Sequence, residues 1–217
     1  MAIAYNSTSI SNQDAASAST LTWAHTCNAL DTKLVVACGG RDSISGVTYN
    51  GVAMTLAVSQ NTSYEYNATY YLDAPATGAS YNIVVTYASA NTYRMGAAVG
   101  ISGCANGIGA TGQAMDFYVA TTPVTATANI TTTIANSDIL ALLWANYTGD
   151  ANTTYGGSQI AIVANSAGAS FRLQYKNTTT AGANSVSISN STPTNVAAMA
   201  IEIMLPSNNG AGFFNFM

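Results

Sequence analysis

Apolar residues in this chain fall in short alternating runs rather than in helical stripes. Leu21–Cys27 puts Leu21, Trp23, His25 and Cys27 on one face and Thr22, Ala24 and Thr26 on the other. That is the period-two pattern of a half-buried strand. Tyr81–Tyr87 alternates the same way through Tyr81, Ile83, Val85 and Tyr87. Val124–Ile134 alternates Thr with small or apolar residues, as an exposed strand does. Two runs are continuous instead: Leu34–Cys38, and Ile139–Trp144 within Asp138–Asn146. Runs this short and apolar predict central strands, buried on both faces. Tyr64–Leu72, Arg94–Ile101, Ile160–Val163, Phe171–Tyr175, Ser185–Ser189 and Val196–Leu205 complete the predicted set, with Phe117–Val119 as a further short candidate. Ile3 and Tyr5 are possible strand anchors in an otherwise polar N-terminus.

The sharpest local signal is Gly46–Leu56. Asn50-Gly51 is the preferred pair for a two-residue type I′ turn, in which both residues need φ > 0. Such a turn pairs Tyr49 with Val52 and Val47 with Met54. Val47, Tyr49, Val52, Met54 and Leu56 are then expected on one, core-facing side, and Thr48, Ala53 and Thr55 on the other.

Turn signals recur every 8–15 residues, and no segment combines a helical period with caps. The chain is therefore expected to be all-β: an antiparallel β-sandwich, jelly-roll-like, over residues 1–206 as a single domain. Residues 207–217 follow as a Gly/Asn linker and an extended aromatic C-terminal tail. No exact internal repeat is visible, and no linker long or charged enough divides 1–206.

Composition narrows the function. Only 6% of the residues are charged, against roughly 25% in ordinary domains. Solubility must come from Asn, Thr, Ser and Gly. A surface so poor in charge suits a protein that lives in an assembly. The net charge of −4, with Lys33, Arg41, Arg94, Arg172 and Lys176 scattered, argues against a nucleic-acid partner. No apolar run reaches the length of a membrane span, so no membrane partner is expected, and the N-terminus lacks the pattern of a signal peptide. Cys27, Cys38 and Cys104 make an odd count. Cys27 and Cys38 can meet on neighbouring strands, but buried free thiols are the preferred reading.

Catalytic constellations are weak. His25 is the only histidine, no Gly-X-Ser-X-Gly motif accompanies it, and it reads as a hydrogen-bonded strand histidine. No Cys-X-X-Cys or Asp-X-Asp spacing suggests zinc or calcium, and no metal or cofactor is expected. Glu65, Asp116 and Glu202 are the acids predicted on strands, the candidates if paired carboxylates were to hydrolyse a glycoside. The chain is expected not to be an enzyme. The partner-binding candidates are aromatic: Tyr64, Tyr66 and Tyr70, which share a parity, and the tail residues Phe213, Phe214, Phe216 and Met217. Tyrosine buries area while keeping a polar tip. The tail either folds back on its own sandwich or docks into a neighbouring subunit.

The segments Leu21-Thr-Trp-Ala-His-Thr, Leu34-Val-Val, Gly46-Val-Thr-Tyr-Asn-Gly-Val-Ala-Met-Thr and Tyr70-Tyr-Leu-Asp-Ala-Pro-Ala-Thr-Gly78, in this order, resemble a family of uncharacterised β-sandwich proteins of phage genomes and some bacterial surface proteins. The likeness spans roughly residues 20–205 and is looser in the second half. It implies a jelly-roll-like fold and a structural role in a virion or at a surface, and it brings no catalytic residues. The expected function is a phage capsid decoration or cement protein, homo-oligomeric, contacting the major capsid protein or other virion subunits on the capsid surface. The alternative is a tail-fibre or surface-adhesion module at an extracellular surface, binding cell-surface glycans.

Overall fold

A computed structural model describes residues 2–13, 17–61, 65–116, 124–145, 151–153, 158–164, 170–190 and 195–206. Seventeen strands run through them. The first nine are β1 (Ala4–Gln13), β2 (Ala18–His25), β3 (Lys33–Gly40), β4 (Ile44–Tyr49), β5 (Val52–Ala53), β6 (Thr55–Asn61), β7 (Tyr66–Asp73), β8 (Tyr81–Asn91) and β9 (Arg94–Ser102). The other eight are β10 (Thr111–Asp116), β11 (Val124–Thr132), β12 (Ser137–Ala145), β13 (Ala151–Thr153), β14 (Ser158–Ala164), β15 (Ser170–Thr178), β16 (Gly182–Asn190) and β17 (Val196–Ile203). Every pairing between them is antiparallel.

The strands form four sheets, and the strand order identifies the architecture. One inner sheet runs β1-β9-β3-β7-β6 and faces an outer sheet β2-β8-β4-β5. Apart from the β4–β5 and β6–β7 pairs, successive strands alternate between the two sheets, which is the jelly-roll-like weave expected from the sequence. The second half repeats it: an inner sheet β10-β17-β12-β15-β14 faces an outer sheet β11-β16-β13. Where the sequence suggested one sandwich over 1–206, the strands make two jelly rolls with one strand order. The two inner sheets then face each other.

Three apolar layers result. Leu21, Trp23, Val47, Tyr49, Ile83 and Val85 of the first outer sheet meet Leu34, Val36, Cys38 and Tyr70 of its inner sheet. Val124, Ala126, Ala128, Ile130, Val186 and Ile188 meet Ile139, Ala141 and Leu143 in the second jelly roll. Between the inner sheets, Val35, Ala37, Val99 and Ile101 meet Leu140, Leu142, Trp144 and Ile201. β3 and β12 are the middle strands of five, covered on both faces, and so favour apolar residues on both. That is why Leu34–Cys38 and Ile139–Trp144 are continuous runs. β11 covers one face only, so Val124, Ala126, Ala128 and Ile130 are buried while Thr125, Thr127, Asn129 and Thr131 are exposed.

The register makes the two halves comparable residue by residue. Lys33 stands between Ile101 and Asp73, as Asp138 stands between Ile203 and Asn177. Val35 stands between Val99 and Tyr71, as Leu140 stands between Ile201 and Tyr175. The contacts between the halves are reciprocal: β1 lies against β14, and β10 lies against β6. Such exchange of equivalent partners is what an approximate two-fold relation produces.

The hairpin is formed as the sequence suggests. Asn50 and Gly51 have φ of 51° and 75°, Tyr49 pairs with Val52, and the Met54 N–H donates to the Val47 carbonyl at 2.9 Å. Val47, Tyr49 and Met54 are buried. Val52 and Leu56, expected beside them, are 52% and 48% exposed. Val52 sits on the two-residue edge strand β5, at the tip. Beyond Met54 the chain crosses to the inner sheet, where β6 pairs with β7 through a register shift between Leu56 and Val58. The parity set by the turn does not survive that crossing. The Phe117–Val119 strand candidate lies outside the described residues.

Candidate functional site

Tyr66 begins β7 half-buried, and Tyr70 is 6% exposed. They share a face, as their spacing requires. That face is the interior of the first jelly roll, where Ala68 and Tyr70 pack against the outer sheet. Burial pushes the Tyr70 phenol up to about 12. Tyr70 is therefore spent on the core, and Tyr66 reaches the surface only at the end of its strand. Tyr64, Phe213, Phe214, Phe216 and Met217 lie outside the described residues.

His25 anchors a polar chain between β1 and β2. The Trp23 Nε1–H donates to Ser9 Oγ at 2.9 Å, and Ser9 Oγ lies 2.9 Å from His25 Nδ1. On its other side, His25 Nε2 lies 3.4 Å from Ser7 Oγ, which donates to Asp31 Oδ2 at 3.0 Å. The Ser7 hydrogen is committed to the carboxylate, so Nε2 carries the imidazole proton and Nδ1 accepts from Ser9. His25 thus donates to a serine, whereas the histidine of a Ser-His-Asp triad donates to the aspartate. Burial lowers the His25 pKa, with Asp31 acting weakly against it, and the ring is 2% exposed. The cluster fastens β1 to β2 and to the turn at Asp31.

Two buried carboxylates are saturated by hydrogen bonds. Asp31 accepts from the Asn28 N–H at 2.8 Å, from Ser7, and from Asn6 Nδ2 at 2.6 Å. Glu202 accepts from the N–H groups of Ala110, Thr133 and Ile134 at 3.0, 2.8 and 3.1 Å. It also takes the hydroxyls of Thr133 at 2.9 Å and Ser137 at 3.0 Å. Burial alone would raise the Glu202 pKa. The donors outweigh it and hold the pKa below the usual value. A carboxylate so held is a weaker base than a free one.

The other acids are placed apart. Glu202 and Asp116 sit at opposite ends of β17's pairing, since Asp116 pairs with Val196. Six residues of strand separate them, about 20 Å. Glu65 precedes β7, buried, with Asn195 Nδ2 donating at 3.4 Å. Burial pushes its pKa up to about 7, against the opposing pull of Asn195 and Arg41. Among the described residues no three His, Cys, Asp or Glu side chains gather as a metal ion needs. Cys27, Cys38 and Cys104 are free and buried, as the sequence favoured.

The surface is the remaining candidate. Lys33, Arg94, Asp31, Glu65, Asp138 and Glu202 are all buried, so much of the small complement of charge is inside. The exposed face of the second outer sheet is uncharged. Thr125, Thr127 and Asn129 of β11 pair there with Ser189, Ser187 and Ser185 of β16. The first outer sheet shows Thr20, Thr22 and Ala24 against Thr86, Val84 and Asn82. Sequence reasoning found these threonines as exposed strand positions but did not assemble them into faces. Only the pairing register does that.

No protein-family model matches the chain, and no curated protein matches it. Among solved structures, an anti-sigma factor domain-containing protein is 11% identical, covers 85% of this chain and 74% of its own, and gives a TM-score of 0.20. A likeness at that level carries no argument about fold or function. No helix among the described residues is long and apolar enough to cross a membrane.

Proposed function

We propose that this chain is a non-enzymatic virion structural protein, a phage capsid decoration or cement protein that coats the head through contacts with the major capsid protein and with further copies of itself. The observation that supports this is the withdrawal of charge from the surface. With Lys33, Arg94, Asp31, Glu65, Asp138 and Glu202 inside and Ser, Thr and Asn on the outer faces, neighbouring copies meet with little electrostatic repulsion. Bonds between copies then rest on area, hydroxyls and aromatic side chains. Tyr66 and the tail residues Phe213, Phe214, Phe216 and Met217 are the contacts proposed to supply the apolar part.

The test is cosedimentation with heads that lack this protein. The full chain is expected to bind at saturation in a fixed ratio to the major capsid protein. A chain ending at Pro206 is expected to lose most of that binding, and Tyr66→Ala to weaken it. Failure of the full chain to bind heads would remove the proposal. Full binding by the truncated chain would remove the tail from it.

A second reading, a tail-fibre or adhesion module for cell-surface glycans, draws on the hydroxyl rows of β11 and β16. It expects saturable binding on a neutral-glycan array that is lost when Thr127 and Asn129 are both changed to Ala.

A further inference from the structure

The first jelly roll carries an ammonium group into a buried corner. Lys33 is 0% exposed, its Nζ is paired with the Asp73 carboxylate, and it lies 5.1 Å from the centre of the Tyr71 ring. The other Asp73 oxygen accepts from the Gly107 N–H at 2.7 Å. Charge pairing and a ring face hold the ammonium, and the backbone donor fixes its carboxylate partner.

The register-equivalent corner of the second jelly roll carries a carboxylate where the first carries the ammonium, and an amide where the first carries the carboxylate. By register, Asp138 stands where Lys33 stands, Asn177 where Asp73 stands, and Tyr175 where Tyr71 stands. Asp138 is 3% exposed, and Asn177 Nδ2 donates to its Oδ1 at 2.9 Å. Tyr175 is stacked on Tyr5, with ring centres 4.0 Å apart. No ion pair joins Asp138 to a Lys or Arg among the described residues. Instead a cavity of about 440 Å³ opens there, lined by Ala2, Ile3, Asn136, Asp138, Tyr175 and Asn177.

We propose that this cavity receives an alkylammonium group, whose charge meets Asp138 and whose carbon stem lies along Tyr175 and Ile3. A carboxylate buried without a cation is costly, and a cation that enters recovers much of that cost. Burial indeed raises the proton affinity of Asp138, with the hydrogen bonds from Asn177 and Tyr5 acting against it. An alkylammonium fits better than a metal ion, because calcium or magnesium would need several more oxygen ligands than this corner offers. The first jelly roll shows the same chemistry at the matching place, where the Lys33 alkylammonium is held by a carboxylate beside a tyrosine ring, although there the ammonium rather than the carboxylate fills the position of Asp138. Two sources share this chemistry: a lysine side chain on a partner protein, and a free aliphatic amine.

The experiment titrates the full chain with n-butylammonium chloride and follows the Asn177 side-chain amide by NMR. In parallel arms the probe is N-acetyl-lysine methylamide, and N-acetyl-norleucine methylamide as its uncharged match. Saturable movement of the Asn177 signal with n-butylammonium, and none with the norleucine compound, is expected. Binding by the lysine compound as well assigns the corner to a partner's lysine. Its exclusion assigns it to a free amine. Asp138→Asn keeps the shape and removes the charge, and it is expected to weaken binding about thirtyfold or more, as loss of one partner of a buried charge pair does. Tyr175→Leu keeps the charge and removes the ring, with a smaller loss expected. Equal affinity in Asp138→Asn, or no saturable movement in the unaltered chain, would overturn the proposal.

Discussion

Gly100 and Glu202 stand at the same place in two copies of one sheet, and each seats a carboxylate there. Gly100 pairs with Leu34 as Glu202 pairs with Ile139. In the second jelly roll the carboxylate grows from the strand position itself. In the first it arrives from the loop before β3, as Asp31, and the strand position is glycine because the space is taken. A Cβ on Gly100 would overlap Asp31 Oδ2 and Ser7 Oγ and lie 2.7 Å from Asp31 Cγ.

Gly100→Ala should therefore cost about 2 kcal/mol in urea unfolding, within the range for overpacking a tight interior. Asp31 cannot withdraw without giving up its hydrogen bonds from the Asn28 N–H and the Ser7 hydroxyl. Gly46, whose added Cβ would meet nothing within 4 Å, is the control, and Gly46→Ala should change stability by less than about 0.5 kcal/mol. Equal effects at the two positions would contradict the geometry.

Glu202→Gln should cost about 3 kcal/mol, because an amide turns two of its hydrogens toward a nest built of donors. The unaltered carboxylate has a folded pKa below its ordinary value, so its stabilisation is present above the unfolded pKa. It is lost as pH falls through the lowered folded pKa. Thermal unfolding between pH 5 and pH 2 should fall steeply in the parent and less steeply in Glu202→Gln.

Glu65 runs the other way. Its folded pKa of about 7 exceeds the ordinary 4.5, so the folded state holds the proton more tightly. Stability is then highest below pH 4.5 and declines as pH rises to about 7, by at most about 3 kcal/mol from this group. Glu65→Gln should remove that decline. Its gain over the parent should be larger at pH 8 than at pH 5, measured by urea unfolding at each pH.

The three thiols should be inert in the folded chain. Burial pushes Cys27 up to about 11 and raises Cys38 and Cys104 as well, so little thiolate exists near neutral pH. A thiol reagent such as DTNB should label none of them in buffer and all three in guanidinium chloride. Rapid labelling in buffer would show that the sandwich opens locally.

Particular residues show how far the sequence could be read. The continuous runs at Leu34–Cys38 and Ile139–Trp144 marked the two middle strands, because a strand covered on both faces favours apolar residues at consecutive positions. Asn50-Gly51 marked its turn, because φ > 0 at both residues selects that pair. Leu56 was misplaced, since a period-two pattern holds within one sheet and the chain changes sheets at Met54. Tyr66 and Tyr70 were rightly set on one face, but periodicity cannot say whether a face looks out or in. The corner at Asp138 had no signal of its own, as Asp138, Tyr175 and Ala2 meet only through folding.

The sequence by itself determined the class of structure: strands, their alternation, one hairpin, the jelly-roll character and a chain poor in charge. These follow from local rules of backbone geometry and from composition. The tertiary structure decided that the weave occurs twice, that the two inner sheets share a core, and that equivalent corners hold Lys33 in one half and a cavity at Asp138 in the other. Those facts depend on which strands pair across long separations. Two halves can share a register without sharing residues, since the backbone hydrogen bonds that set a sheet do not read side chains.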